Sequence, residues 1–331
     1  MNGKKGDAVL SYKPPFTITS KILDLTARIT EKMGELKHSS NRTMTPLLRK
    51  KNRIKTLAGT LEIEGNFLGE EKITALLEGK RVLGTIPEIA EVEGAIRAYQ
   101  ELENYRYDDM NDLLHAHKLL MGEILRTAGS FRSSNVRVGD HIAPQAHLVP
   151  ELMTQLFEWV KKSDEHMLLK SCIFHYEFEF IHPLSDGNGR MGRLWQSVML
   201  HDYNPLFSSL PTESIVRDHQ EEYYKALEKA TALGESTPFI EFMLEIILQM
   251  IENTLKTDQV SDYVSDQVEK LLQVMDEQWL SSSEIMQKLE LSHKPTFRKN
   301  YLNPALDHGL VEMREPDSPR SPKQKYRVSK Y

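Results

Sequence analysis

Apolar residues recur at three- and four-residue spacing along most of the chain, while runs that alternate apolar with polar are few. The spacing predicts helices over 18–36, 46–63, 71–77, 86–104, 110–125, 149–162 and 167–180, and again over 219–233 and 237–255. The helix over 46–63 should stop at Glu64-Gly65-Asn66, because Gly and Asn enter the left-handed conformation that ends a helix at least cost. Residues 1–17, with Gly3, Gly6, Pro14 and Pro15, read as an irregular arm. Over 131–147, Val136-Arg137-Val138 and a Gly139 ahead of Pro144 predict a short hairpin or flap. From about residue 258 the texture changes to helices over 264–276, 284–289 and 297–308, followed by strand-like runs at 310–313 and 326–328. The expected fold is mainly α in three parts: an arm and first helix (1–44), a helical core with its hairpin (45–257) and a small last domain (258–331).

Composition narrows the class without naming a function. The chain has 331 residues, 40% hydrophobic and 27% charged, with 17 Gly and 15 Pro, which excludes fibrous and low-complexity proteins. The net charge of −6 argues against nucleic-acid binding by the whole chain. Residues 293–331, however, carry nine Lys or Arg against four acids, a net of +5. Three helices and a two-stranded wing in that last domain resemble a winged helix-turn-helix, whose expected partner is DNA or another protein. The lone Cys172 excludes an internal disulfide and a cysteine-cluster metal site, and reads as a small buried hydrophobe in a reducing compartment. With neither an N-terminal apolar run nor a stretch of membrane-spanning length, a cytoplasmic protein is expected. The Met- and Ile-rich pattern over 237–255 reads as packing material.

The chemistry concentrates in His182-Pro183-Leu184-Ser185-Asp186-Gly187-Asn188-Gly189-Arg190-Met191-Gly192-Arg193. A helix ending before His182 and another starting near Asn188 would leave the backbone N–H groups of the glycine turn free to cradle an anion. Arg190 and Arg193, three apart, lie on one helix face and suit further phosphate oxygens. Asp186 beside the cradle suits a Mg²⁺ ion that bridges phosphates, and His182 can serve as a general base at neutral pH.

With His182, Asp186, Gly187, Asn188, Gly189, Arg190 and Arg193 in place, this run resembles the signature of the Fic family, H-P-F-x-[DE]-G-N-G-R-x-x-R. Leu184 stands where the family usually has Phe, at a position expected to anchor the loop in the core. The resemblance implies a Fic helical core that transfers AMP from ATP to a Ser, Thr or Tyr hydroxyl of a target protein, or of itself, and releases pyrophosphate. It gives His182 the role of base and Asp186 that of Mg²⁺ ligand. Gly187, Asn188 and Gly189 would bind the α and β phosphates, and Arg190 and Arg193 the β and γ phosphates. Gly129-Ser130-Phe131-Arg132 through Gly139 resembles the family's flap, which holds the target segment by strand addition. Val138, Gly139, Asp140 and His141 would line the nucleotide. Tyr223 and Tyr224 match a pair near the adenosine, and Thr231 stands where relatives often carry Asn.

Thr60-Leu61-Glu62-Ile63-Glu64-Gly65 matches the family's inhibitory pattern [ST]-x-x-x-E-[GN]. A carboxylate at Glu64 reaching Arg193 would occupy the guanidinium that the γ-phosphate needs. Relatives with this Glu can also remove AMP, so the direction of the reaction stays open, as does a nucleotide-sensing DNA-binding regulator. Family members of this type are often homodimers. His115 and His117, two apart on a helix, point to different sides, which disfavours a metal pair and leaves one of them for the core.

Overall fold

The computed structural model describes residues 12–43, 46–139, 141–260, 266–275, 278–307, 309–316, 318, 319, 321 and 323–329. Its helices are α1 (Ser20–Thr43), α2 (Pro46–Ile63), α3 (Glu70–Leu77), α4 (Ile86–Gln100), α5 (Met110–Met121), α6 (Val149–Lys162), α7 (Met167–Ile181), α8 (Asn188–Tyr203), α9 (Thr212–Asp218), α10 (Gln220–Leu233) and α11 (Thr237–Val260). They are followed by α12 (Asp266–Val274), α13 (Ser282–Lys288), α14 (Lys294–Phe297) and α15 (Asn303–Asp307). The strands are β1 (Arg137–Val138), β2 (His141–Ile142), β3 (Leu280–Ser281), β4 (Val311–Met313) and β5 (Lys325–Val328). Two compact units result: one takes in the described residues up to Lys37 with Asn52–Glu252, the other His38–Lys51 with the described residues from Asn253 on. The expected boundary near 258 falls inside α11, and the share of 38–51 in the second unit was not foreseen, because hydrophobic periodicity does not reveal which unit a continuous helix serves.

In the first unit α7 is the central helix. It is apolar nearly all round, and residues 168–178 are all buried, as a helix packed on every side must be. Its main partner is α8, which brings Trp195 against Phe157, and Phe157 in turn meets Phe174 edge-on at 5.5 Å. Cys172 is fully buried, and burial pushes its thiol up to about 12. Peripheral helices start where local chemistry allows: Thr85 and Glu88 form a reciprocal capping box at α4, and Asp109 accepts from Asn111 N–H at α5. Helix α1 buries Ile22, Leu25, Ile29, Met33 and Leu36, a stripe at helical spacing. The end of the arm is extended and pinned: Ser236 N–H donates to Pro15 O at 2.9 Å and Thr17 N–H to Thr237 Oγ1 at 2.8 Å. Two predicted helices are shorter than expected, α4 giving way to a 3-10 turn at Leu102–Asn104 and α5 stopping before Gly122. Helix α9 and the 3-10 turn Pro205–Ser209 escaped prediction because each is too short to show a period.

The second unit packs Val268, Leu271 and Met275 of α12 and the residue after it against Ile285, Phe297, Leu302 and Tyr326. Ser281 and Glu284 form a capping box at α13. The predicted helix over 297–308 is α14 and α15 joined by a π turn, Arg298–Leu302. Its sheet is antiparallel in the order β3-β5-β4, with Val311 opposite Val328 and Leu280 opposite Tyr326, so the expected two-stranded wing gains a third short strand. Asp317, Arg320 and Lys330 of the basic tail lie outside the described residues.

Candidate functional site

The loop between α7 and α8 is folded by its own residues. Helix α7 ends where His182 takes a left-handed conformation, φ 50°, which is uncommon for a residue other than glycine. The Leu184 side chain is fully buried, the anchoring role expected of the Phe it replaces. Asn188 Nδ2 donates to Leu184 O, and Asn188 Oδ1 accepts from Leu184 N–H, both at 2.9 Å. Both ends of that side-chain amide thus brace the loop, and the backbone N–H of Asn188 is the donor that opens α8. Gly187, at φ 81°, turns the chain into α8 without a side-chain cap, and the first helical bond runs from Met191 N–H to Gly187 O. Gly187 N–H is taken by Asp186 Oδ1, and the N–H groups of Asn188, Gly189 and Arg190 are, among the described residues, the unpaired donors of the helix N-terminus, with the helix dipole behind them.

Two buried residues outside the motif hold this loop. Gly129 N–H donates to His117 Nδ1 at 3.0 Å, so Nε2 carries the proton and donates to Asp186 O at 3.1 Å. Burial holds His117 down at about 4, so the ring is neutral. Arg132 donates from Nε to His182 O at 2.7 Å, from Nη2 to Pro144 O at 2.6 Å and from Nη1 to Ser134 O at 2.8 Å. One guanidinium thus joins the loop to the flap segment. Neither role has a sequence period; Arg132 at least sits inside the flap-like stretch.

A cavity of about 690 Å³ opens between loop, flap, α7 and α10, a size suited to a nucleotide. It brings together His182, Gly189, Arg193, Glu64, Val138, Gly139, His141, Tyr223 and Tyr224, all predicted site residues. Gly187, Asn188, Arg190 and Asp186 are not part of its wall, and Asp140 lies outside the described residues. His141 is fixed on the flap by its Nε2 bond to Phe180 O at 2.8 Å. Tyr224 is half exposed, whereas Tyr223 is buried with its hydroxyl 3.0 Å from His175 Nε2. Thr231, at the position of the usual Asn, also lines the cavity and accepts a 3.5 Å bond from Tyr176.

The electrostatics set a neutral imidazole apart from the buried guanidinium groups. Burial lowers the pKa of His182, outweighing the opposing bond to the Glu179 backbone, so the ring is neutral and able to take a proton at pH 7. Glu179, also in the cavity wall, is pushed up to about 7 by burial, and its Oε2 faces His182 Nδ1 at 3.9 Å. No motif flagged this carboxylate, although its place three residues before His182 puts it on the same face of α7. Arg193 is 3% exposed, and Nη2 donates to Glu64 Oε1 at 2.7 Å and to Thr60 O at 3.2 Å, while Nε donates to Thr60 Oγ1 at 3.2 Å. Burial lowers the guanidinium's pKa, but the Glu64 carboxylate together with Tyr223 and Tyr99 more than offsets this, so the net shift is upward. Glu64 is exposed enough to line the cavity and stands directly over Gly189, whose added Cβ would lie 2.7 Å from Glu64 Oε1. Arg190 is buried within 3.4 Å of Glu91 and 3.7 Å of Asp186, and its Nε has no hydrogen-bond partner among the described residues.

Asp186 is the carboxylate expected to hold Mg²⁺. Its side chain is 62% exposed, and its Oδ1 accepts from Gly187 N–H at 2.6 Å. Among the described residues no cluster of three or more acidic, His or Cys side chains could hold a metal alone. A single carboxylate at an anion cradle fits Mg²⁺ only when the remaining ligands are phosphate oxygens and water, the usual arrangement for that ion with a nucleotide. Among the described residues no helix is long and apolar enough to cross a membrane.

Residues 107–200 match the family model described as Fic/DOC family, and residues 266–329 match that of the Filamentation induced by cAMP protein Fic-like, C-terminal domain. The crystal structure of a Fic family protein from Desulfovibrio desulfuricans G20 is 46% identical, with a TM-score of 0.73 over 97% of this chain and 99% of that one. Fic-1 (aa134–508) from C. elegans shares the fold at 22% identity and a TM-score of 0.61, covering 73% of each chain. Among curated relatives, the Protein adenylyltransferase Fic of Culex quinquefasciatus is 28% identical over 194 residues, 55% of this chain and 38% of that protein. Its namesake in Aedes aegypti is 26% identical over 230 residues, 66% of this chain and 45% of that protein. The chain thus spans less than half the length of these curated relatives.

Proposed function

The chain belongs to the Fic family, and on that premise we propose that it transfers AMP from ATP to a hydroxyl side chain of a protein, with Glu64 restraining the reaction. One observation carries the reading: a neutral His182 and the α8 N-terminus face one cavity, in which the guanidinium suited to a terminal phosphate is paired with Glu64. His182 takes the proton of the incoming hydroxyl, whose oxygen bonds to the α-phosphorus as the bond to the pyrophosphate oxygen breaks. The α8 N–H groups hold the phosphate oxygens as charge shifts onto the leaving group. Asp186 would hold a Mg²⁺ ion, which would supply charge neutralisation to the phosphates. Val138 and Tyr224 border the nucleoside, and the flap edge receives the target as an added strand. We read residues 266–329 as a winged-helix-like module that docks DNA or a protein, given three helical stretches (α12, α13, and α14 running through its π turn into α15), a β3-β5-β4 sheet and a basic tail.

Incubation with ATP labelled at the α-phosphate tests this reading. His182→Ala should lower protein labelling about 10² to 10⁴-fold while ATP still binds. Removing a charge-assisted bond of roughly 1.5 to 3 kcal/mol, Glu64→Gly should raise labelling about 10- to 100-fold. Equal labelling by wild type and both variants would reject the proposal. If Glu64→Gly instead slows AMP release from a pre-modified protein, Glu64 orients a water and the reverse reaction is the physiological one.

A further inference from the structure

Glu64 ends a helix, and something must hold that helix end where its carboxylate meets Arg193. The contacts come from the segment 212–220. Gly59 of α2 lies so close to the start of α9 that an added Cβ would sit 2.6 Å from Ser214 N and 2.7 Å from Glu213 O, a backbone-on-backbone seat. Next to it, fully buried Thr60 adjoins the Tyr99 hydroxyl, which donates to Glu213 Oε1 at 3.1 Å; Ser197 donates to the same oxygen at 2.8 Å. Farther along, Arg217 Nη1 donates to Glu62 Oε2 at 2.7 Å, and Gln220 Nε2 to Ile63 O at 3.1 Å. The residues that touch Arg193, Thr60 and Glu64, are thus interleaved with residues that touch α9 and the start of α10. None of the α9 side chains lines the nucleotide cavity.

We propose that α9 is the seat of the inhibitory turn and that Arg217, through Glu62, is a positioning residue setting how firmly Glu64 holds Arg193. The inference rests on the inhibitory reading of Glu64 and adds where that inhibition is adjusted: any event that pulls Arg217 from Glu62 frees the Arg193 guanidinium for a phosphate. Because the pair is partly exposed, with side chains 29% and 21% accessible, it can be broken without opening the core.

The test is a charge exchange. Arg217→Glu should place two carboxylates together, speed amide hydrogen exchange over residues 61–66 by roughly twofold to tenfold and raise AMP incorporation by a similar factor. Adding Glu62→Arg should return both quantities toward wild type, which a merely structural lesion at Arg217 would not do. In a Glu64→Gly background Arg217→Glu should leave AMP incorporation unchanged while exchange over 61–66 still rises. Unaltered exchange in Arg217→Glu, or no recovery in the double exchange, overturns the inference whatever the activity. Faster exchange with rescue, but no gain in labelling from either Arg217→Glu or Glu64→Gly, would keep the seat and remove the inhibitory reading instead.

Discussion

The phosphate loop and the flap face each other across one cavity and are built in opposite ways. The loop between α7 and α8 is anchored and braced: Leu184 is fully enclosed, Asn188 closes a double hydrogen bond, and His117 holds Asp186 from behind. The flap is two strands of two residues each, with Arg137 opposite Ile142 and Val138 opposite His141, and with Ile142 74% and Val138 44% exposed. A reacting phosphate has a fixed geometry and needs donors that do not move when charge develops. A protein target differs from case to case, and an exposed edge strand accepts any chain able to extend alongside it.

The strongest way to break this contrast is to cut the joint between the two regions. Arg132→Met keeps the buried stem but leaves the carbonyls of His182, Ser134 and Pro144 without their donor. A loss of about 2 to 4 kcal/mol in urea unfolding is expected, with AMP transfer falling alongside it. Wild-type stability in this variant would show that loop and flap hold their shapes independently.

A second, pH-dependent effect belongs to the loop alone. His117 titrates near 4 in the folded chain against about 6.5 when unfolded, so between those values the unfolded chain binds the extra proton. Stability should therefore fall as the pH drops from about 6.5 toward 4. His117→Gln should lose this component, so the stability gap between wild type and variant narrows on acidification through that window. A constant gap from pH 7 to 4 would mean that His117 is not held neutral.

The smallest effect is expected at the flap. Ile142→Ser should change unfolding free energy by no more than about 0.5 kcal/mol, because the side chain is already in water. If the target adds to this edge, the variant should raise KM for the protein substrate severalfold and leave KM for ATP unchanged. A rise in the KM for ATP instead would make Ile142 part of the nucleotide pocket.

How much of this was legible beforehand depends on the range of the interaction. The turn that opens α8 could be read from Gly187, Asn188 and Gly189 because a helix start depends on neighbours within a few residues. The Glu64 pattern could be read as well, but only its resemblance to a family pattern gave it a partner 129 residues away. The core helix α7 was visible as an apolar segment, though its burial on every side was not. Thr60 stood at the head of the inhibitory pattern with no role until its hydroxyl met Arg193 Nε.

By itself the sequence determined the helical class, the glycine turn that opens α8 and the family to which its residues point. Periodicity and turn chemistry are local, and a motif carries its own geometry. Only the tertiary structure decided that the Asn188 side chain braces the loop, that Arg132 ties loop to flap, that Glu179 lies beside His182 and that α9 packs against the end of α2. Each of these depends on burial and on partners far apart in the chain, and a lone Arg, Glu or Thr acquires its role only when packing removes water and brings one particular partner within hydrogen-bonding reach.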